Sequence, residues 1–193
     1  MKKKKMNTKD YIFAGAFAAM YIVILLAAVM IFGFNPILYL MIPLLAGIIL
    51  GPVFILYISK VPKKGAILIL SILSGLFMSS YSFIPLAIAV IAGVIAEVVL
   101  ANRGGNIKVK HVIAYSIFNI SLIGPFTLLI FARDQFMQTS ADYYGEDYVD
   151  RISALTPDWI LIVLVVLAIV GGLIGAMLGQ KLNKKHFEQA GIV

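Results

Sequence analysis

The chain alternates long runs of apolar residues with short polar stretches that contain lysine, proline or glycine. The first run, Tyr11–Phe32, carries no charge and is longer than the roughly 20 apolar residues that a helix needs to span a bilayer. A glycine and a proline in residues 33–36 end this run in a turn. A second run then continues to Ile58, before lysines return the chain to water. The pattern predicts membrane-spanning helices joined by short loops.

Residues 65–101 form one apolar run whose only charge is Glu97. As a single helix this run would be roughly 55 Å long, because each helical residue rises about 1.5 Å. The hydrocarbon core of a bilayer is only about 30 Å thick. The segment Ser79–Pro85 is polar and contains a proline, so it is where the chain turns. The run therefore predicts two short helices.

Two further apolar runs follow, separated by residues 133–156, the longest polar segment of the chain. The sequence thus predicts an all-α membrane protein, in which residues 1–193 form a single domain built as a six-transmembrane-helix bundle. The predicted spans are residues 11–32, 36–58, 65–79, 84–101, 111–132 and 157–180.

The distribution of basic residues tests this count independently. With six spans, all but two of the 16 Lys and Arg residues fall on the side of the bundle that holds both termini. The exceptions are Arg133 and Arg151. Under the positive-inside rule, this asymmetry predicts that the N and C termini are cytoplasmic. If residues 65–101 formed a single span, the basic loops on either side of them would lie on opposite faces of the membrane.

The composition places the chain in a lipid bilayer, since mean hydropathy is +1.01 and 62% of the residues are hydrophobic. The net charge of +7 comes from lysines beside the apolar runs, where they contact anionic headgroups, so it does not predict binding to nucleic acid. The chain has no cysteine, which excludes disulfides and thiolate metal sites.

The residues needed for common kinds of catalysis are missing. The only two histidines, His111 and His186, both fall at the predicted cytoplasmic boundary, so the membrane interior holds no Ser–His pair and no histidine metal site. A GxxxxGK[ST] phosphate-binding loop is also absent from the sequence. We therefore expect a protein that is not an enzyme and that holds neither a metal nor a cofactor.

Polar side chains gather at the predicted outer ends of the helices, where they could rim a small-molecule pocket. Asn119 is the best single candidate, because a buried amide needs hydrogen-bond partners. The alternative for each residue is ordinary turn or capping chemistry. The outer loop 133–156 is either a lid over this pocket or a solvated connector. The candidate substrate-binding residues are Asn35, Ser79, Ser80, Tyr81, Ser82, Asn119, Ser121, Arg133, Tyr143 and Tyr144.

The first predicted helix carries small residues near its lysine-flanked end. Ala14 and Ala18 lie one above the other on a helix, and so do Gly15 and Ala19. Small side chains allow another helix to approach closely. This strip is either an internal packing surface or a docking face for a second protein.

Two further features have both structural and functional interpretations. Glu97 is the one charge well inside an apolar run. It predicts an ion pair with a loop residue such as Arg103, a coupling role at an interface, or direct contact with a substrate. Gly171, Gly175 and Gly179 repeat every four residues in the last predicted helix, which predicts close packing within the bundle.

Six short hydrophobic helices, cytoplasmic termini, a small-residue strip on the first helix and the lack of an ATPase motif together resemble the S components of energy-coupling factor (ECF) transporters. More narrowly, the chain resembles the Trep_Strep-type S components. The residues that carry this likeness are Asn7-Thr8-Lys9-Asp10, Ile95-Ala96-Glu97 and the tail at 184–192.

The resemblance implies a substrate-binding subunit in a bacterial plasma membrane, which captures a vitamin or other micronutrient outside the cell. Such a subunit docks on a transmembrane coupling protein that two cytoplasmic ATPases drive. The family's AxxxA docking motif maps onto Ala14 and Ala18, with Gly15 and Ala19 as an alternative register. No substrate signature is visible, although the scarcity of charge on the outer side fits a neutral or partly apolar ligand.

Two other functions remain open at this point. A stand-alone permease or channel would transport its solute without partners, but it would need a polar pore that this sequence barely supplies. A membrane assembly subunit would bind no small molecule at all.

Overall fold

The computed structural model describes residues 6–80, 82–102 and 104–184, and every regular element within these ranges is helical. The first five helices are α1 (Thr8–Phe32), α2 (Pro36–Leu40), α3 (Ile42–Lys60), α4 (Ala66–Met78) and α5 (Ile84–Ala101). The chain continues as α6 (Ile107–Asn119), a 3₁₀ segment (Ile120–Thr127), α7 (Leu128–Phe131), α8 (Arg133–Tyr144), α9 (Glu146–Leu155) and α10 (Ile160–Leu182).

Five of these stretches are long and apolar enough to cross a bilayer: α1, α3, α5, residues 107–131 and α10. The prediction of an all-helical protein with several membrane-spanning helices is thereby confirmed. The remaining predicted span, residues 65–79, corresponds to α4, which has only 13 residues and is about 20 Å long at about 1.5 Å per residue. The six-span count and the cytoplasmic position of both termini stay predictions.

Local sequence signals explain where the helices begin. The Asn7 side chain accepts the Asp10 N–H at 2.9 Å, and the Asp10 carboxylate accepts the Asn7 N–H at 2.9 Å. This reciprocal pair is a capping box, which satisfies backbone donors that the first turn of α1 leaves open. At the start of α2, Asn35 plays a similar role and Pro36 occupies the first helical position, where the missing N–H costs nothing.

Residues 107–131 change helix type partway along because of Pro125. Proline lacks the N–H that an α-helix requires, and its ring clashes with the carbonyl four residues earlier. The chain therefore tightens into the 3₁₀ segment and returns to an α-helix as α7.

The closest packing in the bundle lies between α3 and α10, along a surface that we call the glycine seam. It comprises Gly47 and Gly51 of α3 and Gly171, Gly175 and Gly179 of α10. A Cβ added at Gly51 would collide with the backbone of Gly175, and one at Gly179 would lie 2.9 Å from the Pro52 Cα. The two backbones thus approach as closely as small residues allow, and the close packing predicted from the glycine repeat is confirmed.

The bundle has two chemically different ends. At the basic end, α3 finishes beside Lys60, Lys63 and Lys64, and the start of α1 joins it through Asp10, which lies 3.9 Å from Lys63. At the opposite end, which we call the hairpin end, residues 133–156 form the α8–α9 hairpin. The long polar segment of the sequence is therefore folded into helices.

Candidate functional site

A cavity of about 410 Å³ lies at the hairpin end, within the usual size range of small-molecule sites. Its walls come from the last turns of α1, the end of α4, the start of α5 and the 3₁₀ segment. The α8–α9 hairpin covers it and contributes seven of the lining residues, from Gln135 to Tyr148. The site is thus assembled from segments that are far apart in the sequence.

Aromatic rings form much of the lining. Tyr39 of α2 packs against Phe126, with ring centroids 4.8 Å apart, and against Phe136 of the hairpin at 6.0 Å. Tyr144 and Tyr148 stack on each other with centroids 4.6 Å apart. Such ring pairs hold their geometry through many dispersion contacts, so this part of the wall is well defined in shape.

The α8–α9 hairpin, which we call the cover of the cavity, is held in place by hydrogen bonds. The Arg133 guanidinium donates to the Thr156 carbonyl at 2.8 Å and to the Ser153 carbonyl at 3.2 Å, which fixes the two ends of the hairpin together. The Tyr148 hydroxyl donates to the Gly33 carbonyl at 3.0 Å, directly after α1. Burial raises the pKa of Tyr148 to about 12, and neighbouring Tyr144 adds to this shift, so the hydroxyl keeps its proton at neutral pH.

The described part of the cavity lining contains no Asp, Glu, Lys, Arg or His. Its polar groups are hydroxyls and one amide, and the carboxylates of the hairpin lie on its exposed side, away from the cavity. The described residues also include no group of three or more residues that could hold a metal ion. Because an unpaired charge is costly to bury, the lining favours an uncharged ligand.

Four of the predicted substrate-binding residues do meet in this cavity. Ser80 and Ser82 approach it from the α4–α5 turn, while Tyr143 and Tyr144 approach from the end of α8. Tyr81 lies outside the described residues. The outer polar cluster therefore indicated where this cavity lies, and the binding role of these residues stays a prediction.

Asn119 and Ser121 do not line the cavity, contrary to the prediction. Asn119 is fully buried, and its amide donates to the Pro43 carbonyl at 3.0 Å and to the Ala168 carbonyl at 2.7 Å. It therefore connects α6 to α3 and α10 beside the glycine seam. The Ser121 hydroxyl is buried without a hydrogen-bond partner among the described residues.

The other three predicted residues also have structural roles outside the cavity. Asn35 caps α2 by accepting the Ile37 N–H at 3.0 Å. Ser79 donates to the Gly75 carbonyl at 2.7 Å and joins α4 to α5 by accepting the Leu86 N–H. Arg133 tethers the hairpin, as described above. For these residues the turn and capping interpretation matches the observed contacts.

Sequence reasoning missed most of the hairpin residues that face the cavity. A signal was present, because a helix places residues four apart on the same face. The lining residues of α8 fall into two rows with this spacing. One row is Gln135, Thr139 and Tyr143, and the next is Phe136, Ser140 and Tyr144; only the two tyrosines were predicted.

The strip of small residues on α1 is divided between the inside and the outside of the bundle. Ala14 is 0% exposed and Ala18 is 1% exposed, so both pack inside the chain. Of the two interpretations of this strip, internal packing matches these two alanines, because no surface of theirs is left for a second protein in the chain as folded here. Gly15 and Ala19 are exposed, and a Cβ added at Gly15 would have no atom within 4 Å. This alternative register remains a prediction.

Glu97 lies half-buried near the basic end, where its Oε1 accepts the Ile67 N–H at 2.8 Å. It thus satisfies a donor at the start of α4, which has no side-chain cap of its own. Glu97 also lines a smaller cavity of about 260 Å³ together with Lys63 and His111. The predicted partner Arg103 lies outside the described residues.

Comparison with protein families gives a match over residues 8–189, nearly the whole chain, to a family described as hypothetical bacterial integral membrane protein (Trep_Strep). No curated protein and no solved structure matches the chain. The extent of the family match, together with the long apolar helices, shows that the chain belongs to the Trep_Strep family of bacterial integral membrane proteins.

Proposed function

We propose that this protein is the substrate-binding S component of an ECF-type importer, with the cavity at the hairpin end as its ligand site. The observation that carries the proposal is the covered, uncharged cavity of about 410 Å³. An aromatic lining with a few hydroxyl and amide groups is what a binding subunit for a vitamin or similar micronutrient requires. The resemblance of the sequence to Trep_Strep-type S components supports the same assignment.

In this proposal the basic end faces the cytoplasm and the hairpin end faces the outside of a bacterial cell membrane. The positive-inside rule supports this orientation, since lysines border the spans at the basic end. The ligand is captured from the outer side and held beneath the α8–α9 hairpin.

The energy for transport comes from partners in this proposal. The sequence has no GxxxxGK[ST] loop, so ATP hydrolysis is assigned to two cytoplasmic ATPases acting through a transmembrane coupling protein. We assign the contact with the coupling protein to Gly15 and Ala19, since Ala14 and Ala18 are buried. Gly15 lies in the second turn of α1, near the basic end and the ATPases.

Purification in mild detergent, followed by mass spectrometry, tests the ligand-binding part of the proposal. The expected result is a small molecule retained at a stoichiometry near one per chain. Retention should fall when Thr139, which lines the cavity, is replaced by leucine to reduce the cavity volume. A protein that reproducibly carries no small molecule would instead support a membrane assembly subunit.

Co-purification of the coupling protein and ATPases tests the partner assignment. Gly15→Trp should abolish co-purification, because it places a large ring on an open surface, while ligand retention stays unchanged. Ile12→Trp is the matched control, since Ile12 is an exposed and already large residue on the same helix. An intact complex with Gly15→Trp would show that Gly15 is not part of the interface with the coupling protein.

Uptake by vesicles that contain this chain alone, without ATP, would support a stand-alone permease.

A further inference from the structure

The mouth of the cavity lies on the side of the bundle rather than only at its end. Three large apolar side chains line the cavity and are also well exposed: Leu26 (44%) and Val29 (38%) on α1, and Phe77 (40%) on α4. Since both helices belong to the apolar bundle, these residues mark the place where the cavity meets the surface that faces lipid.

These residues lie near the ends of their helices, on the side of the bundle next to the hairpin. Val29 and Leu26 precede the end of α1 at Phe32 by three and six residues, which is roughly 5 and 9 Å along the helix axis. Phe77 lies one residue before the end of α4. Tyr143, which is 78% exposed, marks the end of the mouth closest to water.

The hairpin obstructs part of the route from water. The hairpin covers the cavity, and the Tyr148 hydroxyl holds it to Gly33 at 3.0 Å. The ring of Tyr144 also contacts that of Phe34 edge to face, with centroids 6.0 Å apart. Entry from water passes exposed polar lining residues such as Ser80, Gln135 and Tyr143 at the edge of the hairpin, whereas entry from the side passes only apolar side chains.

We propose that the ligand is an uncharged, partly apolar ring compound that partitions into the bilayer and enters the cavity sideways, between α1 and the end of α4. This inference rests on the ligand-binding part of the proposed function. The uncharged lining excludes charged forms, and the aromatic walls contact a ring system. Gln135, Thr139 and Ser140 supply hydrogen-bonding groups that orient one polar substituent.

Two probes with the same ring system test the chemical class. The full chain is reconstituted in phosphatidylcholine vesicles at pH 7, and binding is followed by energy transfer from protein tyrosines to the probe. We expect 2-naphthol, which is uncharged, to bind at least tenfold more tightly than 2-naphthoate, which is an anion. Protein-free vesicles correct for partitioning. Equal binding of the two probes, or no binding of 2-naphthol, would overturn the inference.

Two sets of variants test the route of entry. Leu26→Trp should slow the association of 2-naphthol by about tenfold, whereas Val23→Trp, at an exposed position one turn away that does not line the cavity, should leave it unchanged. The chain has no cysteine, so Phe34→Cys combined with Tyr144→Cys allows the cover to be cross-linked selectively. Cross-linking should change the association rate less than twofold relative to the same variant before cross-linking.

The outcomes separate this inference from the proposed function. Loss of association on cross-linking, with no effect of Leu26→Trp, would show entry through the cover and overturn the sideways route. If mass spectrometry finds a charged ligand in the purified protein, the binding function stands and the ligand class proposed here is wrong. If the protein retains no molecule and binds neither probe, both proposals fail together.

Discussion

The glycine seam and the hairpin end belong to the same bundle, yet they are packed in opposite ways. Between α3 and α10 there is no space for even one methyl group at Gly51 or Gly175. At the hairpin end, the ring of Tyr39 contacts those of Phe126 and Phe136 beside a cavity of about 410 Å³. Small side chains bring backbones together, whereas large stiff rings keep them apart.

This contrast shows how an almost wholly apolar chain separates a region of close packing from a region that encloses a cavity. Lipid is as apolar as the protein interior, so burial of hydrophobic area does little to hold membrane helices together, and close packing has to do so. The seam provides that packing along α3 and α10. The hairpin end can then keep a cavity open, because the stability of the bundle does not depend on filling it.

The largest expected effect comes from disturbing the seam. Gly175→Ala places a methyl group against the Gly47 backbone, so α3 and α10 must separate, and we expect the free energy of unfolding to fall by about 3 kcal/mol. Gly15→Ala is the control: it meets open space and should be neutral or stabilising by less than about 1 kcal/mol. Unfolding in detergent micelles measures both, and equal stabilities would show that the seam does not support the bundle.

Asn119 tests the distinction between the glycine seam and the hairpin end. It lies beside the seam, although its residue type predicts a role in binding. Asn119→Leu removes two hydrogen bonds between helices and should lower the free energy of unfolding by about 1–2 kcal/mol. Binding of the retained ligand should not change. Thr139→Val, a substitution of similar size in the cavity lining, should do the reverse and weaken binding with little loss of stability. A selective loss of binding in Asn119→Leu would contradict the division into two regions.

Arg133→Ala tests the cover. Loss of its hydrogen bonds to Ser153 and Thr156 should destabilise the closed hairpin by about 1.4 kcal/mol, which corresponds to roughly tenfold faster amide hydrogen exchange across residues 133–155. Arg151→Ala, at an exposed position on the same hairpin, should leave exchange unchanged. Equal exchange in the two variants would show that Arg133 does not tether the cover.

The smallest effect is expected at the basic end of α4, which reaches from that end to the cavity. Glu97→Ala removes the acceptor for the Ile67 N–H and should cost about 1 kcal/mol, as the loss of a helix cap does. Glu97→Gln keeps an acceptor oxygen and should retain more than half of that stability. If glutamine proves as damaging as alanine in thermal unfolding, the negative charge rather than the hydrogen bond is what matters.

The sequence predicted the limits of the helices well because prolines, glycines and charges interrupt the apolar runs. The span predicted at 84–101 coincides with α5, which begins beside Pro85 and ends before the polar loop. Ser80 and Ser82 also pointed correctly to the cavity, since polar residues at a helix end accumulate where the chain leaves the apolar layer.

The sequence could not predict which side of α1 faces inward. This helix is apolar on every side, so its pattern does not distinguish the buried pair Ala14 and Ala18 from the exposed pair Gly15 and Ala19. The role of Asn119 was equally hidden. Its two acceptors, the carbonyls of Pro43 and Ala168, are 76 and 49 residues away along the chain and come within reach only through close packing of three helices.

The short α4 also has a consequence for the surrounding lipid. In the predicted six-span arrangement α4 crosses the bilayer, and a helix of about 20 Å would not match a hydrocarbon layer of about 30 Å. The bilayer beside it would then have to thin, or the helix ends would draw headgroups inward. Such hydrophobic mismatch favours shorter or more disordered acyl chains next to this one face of the protein. In that arrangement the lipid around the protein would be asymmetric, and acyl-chain length would act on α4 more than on any of the long helices.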